Sequence, residues 1–172
     1  TVEAPPHTAP ATIKERVRKR ASWILRQQRN FELYGFDQPL REYVSGETHY
    51  YLGRQYRLKV LQSATSGESA RMSRGRILIY VQDTQDHDRV KQLLENWYRK
   101  QARRVFQERL DEWYPKAARL GIEYTDMVIR RMKSRWGSCT PAGKITLNLK
   151  LIQMPKVCID YVIVHELVHR KY

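Results

Sequence analysis

His165 and His169 stand four residues apart, and Glu166 directly follows the first of them. On a helix that spacing brings both imidazoles to one face, one turn apart. Two neutral imidazoles so placed can ligate a single zinc ion. Glu166 then lies close enough to hydrogen-bond a zinc-bound water without occupying the metal itself. Zinc brings the pKa of such a water toward ~7, and a carboxylate can take its proton and hand it to a leaving amine. The residue types and their spacing therefore predict a zinc-dependent hydrolase, with His165 and His169 as metal ligands and Glu166 as general base. The structural alternative is two satisfied histidines and a glutamate on an ordinary core helix. The preceding Tyr161-Val162-Ile163-Val164 is strongly apolar, so a buried helix is expected, and polar side chains there need partners or a metal. Asp160 either supports a ligand from behind or is a first-turn acid favoured by the helix dipole.

A catalytic zinc takes three protein ligands and keeps one position open. His49 and His87 are the further candidates, with His7 in the N-terminal lead-in. His49 falls in a strand pattern and His87 at a helix start, the settings of ordinary histidines. The sequence stops three residues past His169, so either the third ligand lies beyond Tyr172 or the site is incomplete. Trp136-Gly137-Ser138-Cys139 carries two readings. The loop can line the cleft and bring Cys139 near the metal. Alternatively, Gly137 permits a turn, Trp136 fills core and Cys139 acts as a small hydrophobe. A nucleophilic Cys139 would need a paired histidine, and His165 and His169 are better explained as ligands.

Several elements must hold these residues in place. The motif helix is expected to start at Pro155. A long helix is expected from Asp86 or Asp88 to Tyr114, before Pro115, because Val90, Leu94, Trp97, Tyr98, Ala102, Val105, Leu110 and Trp113 recur at helical spacing. A short helical continuation over Lys116–Leu120 ends at Gly121. Tyr43-Val44, His49–Leu52, Tyr56–Val60 and Arg76–Val81 read as strands, the last buried on both faces, in an antiparallel sheet. Ser63–Gly75 reads as a loop or hairpin connection. Val128–Lys133 and Lys144–Leu149 read as two more strands, joined through Trp136–Gly143.

Residues 1–11, rich in Pro, Ala and Thr, are expected to be a lead-in. Thr12 and Glu15 have capping-box spacing, which predicts a helix over 13–28. Ile13, Val17, Ala21, Ile24 and Leu25 share one face of it. Lys14, Arg16, Lys19, Arg20 and Arg26 occupy the other. Such a helix either binds a polyanion or packs one face and solvates the other. Lys plus Arg is 32 against 18 Asp plus Glu, a net charge of +14. That excess attracts nucleic acid, anionic membrane or acidic protein, or serves as a generic soluble surface. The second functional reading is accordingly a basic nucleic-acid-binding module with a structural or vestigial zinc site. At 41% hydrophobic and 29% charged, the composition is that of a globular domain, and no apolar run reaches the roughly 20 residues of a membrane span. The two cysteines, Cys139 and Cys158, are too few for a structural zinc finger and fit a reduced, cytoplasmic protein.

Four blocks together resemble the YgjP-like metallopeptidase domain family, a minimal gluzincin-like zincin related to SprT-like metalloproteases. They are Tyr51–Val60, Arg131–Cys139, Gly143–Asn148 and Asp160–His169. The resemblance implies an α+β, zincin-like fold: a mixed, mostly antiparallel sheet, a long backing helix and the His-Glu-x-x-His helix. It implies that His165 and His169 bind a zinc ion, that Glu166 is the general base, and that a third histidine follows beyond Tyr172. It also implies a peptide or protein substrate, which would pair in extended form with the Lys144–Leu149 strand at the cleft rim. The expected organisation is a basic extension over 1–40 with its amphipathic helix, then a metallopeptidase domain over 41–172, truncated soon after the motif helix begins.

Overall fold

The structure is a computed structural model that describes residues 9–22, 25, 26, 29, 41–64 and 67–169. It is an α+β arrangement with two mixed sheets. Helix α1 spans Pro10–Lys19 and is capped by Ala9 with no side-chain cap hydrogen bond. Thr12 is therefore not the cap. Pro10, whose fixed φ suits the first helical position, starts the helix earlier. Ile13, Val17 and Ala21 are half-buried, whereas Leu25 is 64% exposed. Ile24 and the expected end of this helix at Gln28 lie outside the described residues.

The first sheet contains β1 (Thr48–Tyr51), β2 (Arg54–Gln62), β3 (Ser69–Ser73) and β4 (Arg76–Val81), in the order β1-β2-β4-β3. Strands β1 and β2 form a hairpin closed by Leu52 and Gly53, whose φ values of 50° and 78° suit a two-residue primed turn. The chain then passes beyond the future position of β4, forms β3 at the edge and returns as β4. This leaves β4 antiparallel to β3 and parallel to β2, so the sheet is mixed and mostly antiparallel, as expected. The connection expected over 63–75 contains strand β3, whose Ser-Ala-Arg-Met-Ser alternates only one small and one 44% exposed apolar residue, Ala70 and Met72, too weak a pattern to stand out from a loop. In β4, Ile77, Ile79 and Val81 are buried while Leu78 and Tyr80 are half-buried. One face is thus the core face, not both. Tyr43-Val44 forms no strand, and Tyr43 has a φ of 61°.

Helix α2 runs over His87–Ala118, with the Asp86 carboxylate accepting from the Arg89 N–H at 2.9 Å. It passes through Pro115 without ending, so the break expected there and the separate continuation merge into one helix. Val90, Leu94, Trp97, Tyr98, Ala102, Val105 and Leu110 are buried along it. The second sheet contains β5 (Asp126–Arg130), β6 (Gly137–Cys139) and β7 (Lys144–Asn148), ordered β5-β7-β6. Strand β7 is parallel to β5 and antiparallel to β6. A 3-10 helix over Leu149–Gln153 leads to Pro155, the cap of α3 (Lys156–Val168). Phe106, Leu110, Ile145, Leu147, Leu151, Ile159 and Ile163 are all fully buried and join α2, the second sheet and α3 in one core. Truncating one such aliphatic side chain to alanine typically costs about 2–5 kcal/mol.

His49 is 2% exposed on β1. The Arg41 guanidinium, which can only donate, lies 2.8 Å from its Nδ1, so its Nε2–H donates to Glu47 Oε2 at 3.0 Å. The ring is therefore neutral. Burial, reinforced by the Arg41 charge and opposed by Glu47, holds its pKa down at about 4 against the ordinary 6.5. In the unfolded chain His49 takes a proton first. The stabilisation from the neutral ring is complete above pH 6.5 and is lost as the pH falls from 6.5 toward 4. The full span is on the order of 3 kcal/mol. Denaturant midpoints should therefore fall more steeply over this window in the natural protein than in His49→Gln. Equal slopes would contradict the assignment.

Candidate metal centre

Helix α3 buries Ile159, Val162, Ile163, Glu166 and Leu167, the i, i+3, i+4, i+7 stripe of a core-facing helix. Glu166 belongs to that stripe and is 7% exposed. The two histidines do not. His165 and His169 are exposed on the flank of the helix, so the expectation that the apolar segment would bury all three holds only for the glutamate. An amphipathic helix one residue wider than its apolar run turns neighbouring positions to different sides, and periodicity alone did not resolve this.

The rings of His165 and His169 meet at 4.2 Å with planes at 79°, and their Nε2 atoms are 2.8 Å apart. His169 is the helix C-cap but keeps helical backbone, and its N–H donates to the His165 carbonyl at 3.0 Å. One-turn spacing therefore extends through the second histidine. Zinc–imidazole bonds of ~2.0–2.1 Å at a tetrahedral angle separate two ligand nitrogens by about 3.3–3.4 Å. A small rotation of either ring suffices, so the donor pair fits the ion. Tyr161, one turn before His165 and 41% exposed, stacks on its ring at 5.7 Å and 19°. Sequence reading passed over this residue, although its i−4 position on the histidine face is a usable signal.

Glu166 is held from above by strand β6. A Cβ on Gly137 would stand 2.7 Å from both Glu166 Cγ and Oε1. Gly137 is needed for this close approach, not for a turn, since its φ is not positive. Burial pushes the Glu166 carboxyl above its ordinary range, opposed by the charges of His169 and Arg135. Arg135 was not a candidate from sequence. Its loop is pinned by Asn148, fully buried, whose Nδ2 donates to the carbonyls of Met132 and Arg135, each at 2.8 Å. Cys139 packs against the core from β6, as a small hydrophobe would. Cys139 and Cys158 are thiols rather than a disulfide.

Strand β7 lies between β5 and β6, so Lys144–Leu149 cannot accept another strand, and the expected rim position is corrected. The edge beside Glu166 is β6. The Asn148 N–H donates to the Trp136 carbonyl and the Thr140 N–H to the Lys144 carbonyl. By alternation, Gly137 turns its amide and carbonyl to the side of β6 away from β7, where no strand pairs among the described residues.

The remaining candidates lie elsewhere. Both ring nitrogens of His49 are engaged by Arg41 and Glu47, and His87 is exposed at the start of α2. His7 and Tyr172 lie outside the described residues. Asp160 supports no histidine. It faces Arg109 of α2, accepting from Nε at 2.5 Å and from Nη2 at 2.8 Å, and so fixes α3 on α2. Among the described residues no group of three His, Cys, Asp or Glu side chains gathers around one point, and no helix is long and apolar enough to cross a membrane.

A family model described as "YgjP-like, metallopeptidase domain" matches residues 1–172, the whole chain. No curated protein and no solved structure matches.

Proposed function

We propose, on the premise that the chain belongs to the YgjP-like metallopeptidase domain family, that it is a zinc-dependent peptidase of zincin-like fold, with α2 as backing helix and α3 as the metal helix. The observation that carries this reading is the pair of Nε2 atoms 2.8 Å apart on α3, with Glu166 buried beside them. His165 and His169 would hold the ion through Nε2, and a third protein ligand must come from outside the described residues. When bound, zinc lowers the pKa of a coordinated water and polarises a carbonyl. Glu166 accepts a proton on its carboxylate and delivers it to the leaving amine. Gly137, on the side of β6 away from β7, hydrogen-bonds an extended substrate backbone and carries its peptide bond past Glu166. Tyr161 limits the rotation of the His165 ring by stacking on it.

Metal analysis of the intact protein tests this reading. One zinc per chain is expected, and His165→Ala or His169→Ala should each weaken zinc affinity by at least about tenfold, as loss of one ligand demands. Stoichiometric zinc in the double variant would sink the proposal.

A further inference from the structure

A groove of about 590 Å³ lies between α2 and β5, on the edge of the second sheet opposite β6. One wall carries Arg99, Lys100 and Arg103, and the other is the strand around Met127–Ile129. All three cations are exposed. Among the described residues none of their side chains joins a hydrogen bond or an ion pair. The acids bordering the groove are already turned to other cations. Glu95 pairs with Arg131 at 2.5 Å, tying the end of β5 to α2, and Asp126 faces Lys144 at 3.7 Å. The groove therefore carries an uncompensated positive charge.

Its floor is equally specific. Among the described residues no strand pairs with the outer edge of β5. The Thr125 N–H donates to the Gly143 carbonyl on the β7 side. Within β7, the Lys144 carbonyl and the Asn148 N–H are bonded to the β6 side, so Ile145 and Leu147 face β5. In the parallel register Asp126, Val128 and Arg130 then turn their backbone groups toward β7, while Met127 and Ile129 turn theirs outward. A row of outward amides and carbonyls at strand spacing calls for another polypeptide backbone, since exposed edges template strand addition. A nucleic acid would satisfy the cations but not this row.

We infer that this groove binds an acidic peptide in extended form, which adds to β5 as a fourth strand and presents its carboxylates to Arg99, Lys100 and Arg103. The site is separate from Glu166 and the histidine pair, and its failure would leave the proposed hydrolytic site untouched. It would serve to hold an acidic segment of a protein substrate or partner.

Fluorescence anisotropy with three labelled probes tests this: an alternating Glu–Thr peptide, the corresponding Lys–Thr peptide, and oligodeoxythymidine of similar length. The Glu–Thr peptide should bind, and the Lys–Thr peptide should not. Methylating alternate backbone nitrogens of the Glu–Thr peptide preserves its charge but removes strand pairing, and should weaken binding at least tenfold. The protein variant R99E/R103E, checked for an unchanged melting temperature, should weaken it by a similar factor. If that variant melts early, Lys100→Glu takes its place. Equal binding of the methylated peptide, undiminished binding by the charge-reversed protein, or binding of oligodeoxythymidine in preference to the Glu–Thr peptide would each overturn the assignment.

Discussion

Glu166→Gln is expected to leave zinc bound and to lower kcat for peptide hydrolysis by about 10²–10⁴-fold, the range for losing a positioned general acid–base. The substitution preserves shape and the contact beneath Gly137. It removes the one group beside the histidine pair that can both take and return a proton. Because glutamine keeps the packing, stability should change little, and the loss should appear in kcat rather than KM. Parallel metal analysis and steady-state kinetics on the intact protein check this. An active variant with full zinc would mean that another base does the work.

Gly137→Ala should strip activity without touching a ligand. The added methyl would lie 2.7 Å from Glu166 Cγ and Oε1, so the carboxylate or β6 must move. Misplacing a catalytic group by about 1 Å can lower rates by about 10². Overpacking adds a destabilisation of about 1–3 kcal/mol. Zinc content should stay constant. A double-mutant cycle separates positioning from general damage. With Glu166→Gln already in place, Gly137→Ala should cost little further activity while still lowering the melting temperature. If Gly137→Ala keeps kcat within about twofold, Gly137 does not position the base and the role given to β6 is wrong.

Local signals exposed much of this architecture before any coordinates. The apolar stripe from Val90 to Leu110 needed only helical spacing, and strand β4 needed only its continuous apolar run, although that run read as buried on both faces and is buried on one. Three features escaped because they depend on distant partners. Strand β3 has only Ala70 and Met72 as an apolar pattern and is held by the edge that β4 offers it. Pro115 is tolerated inside α2 because packing overrides a local breaker that reads as a stop. The parallel pairings of β4 with β2 and of β5 with β7 follow from the path of the chain, which residue types do not encode. In the site, His165, Glu166 and His169 were legible from spacing. The separation of exposed histidines from a buried glutamate was not, nor was the reason for Gly137. Both depend on β6 crossing over α3, a contact between segments far apart in sequence.

The hairpin turn at Leu52-Gly53 has a consequence for how the molecule assembles. The Leu52 N–H donates to the Ile152 carbonyl at 3.0 Å and the Gly53 N–H to Gln153 at 2.9 Å, while Gly53 meets Pro155 so closely that a Cβ would lie 2.7 Å from its ring. These contacts join residues 52 and 152 across most of the chain. Such long-range closures form late and slow folding, since a large loop must be ordered before they contribute. The first turn of α3 is thus seated on a hairpin distant in sequence. Protection of the Leu52 and Gly53 amides from hydrogen exchange should accordingly report when the metal helix is seated.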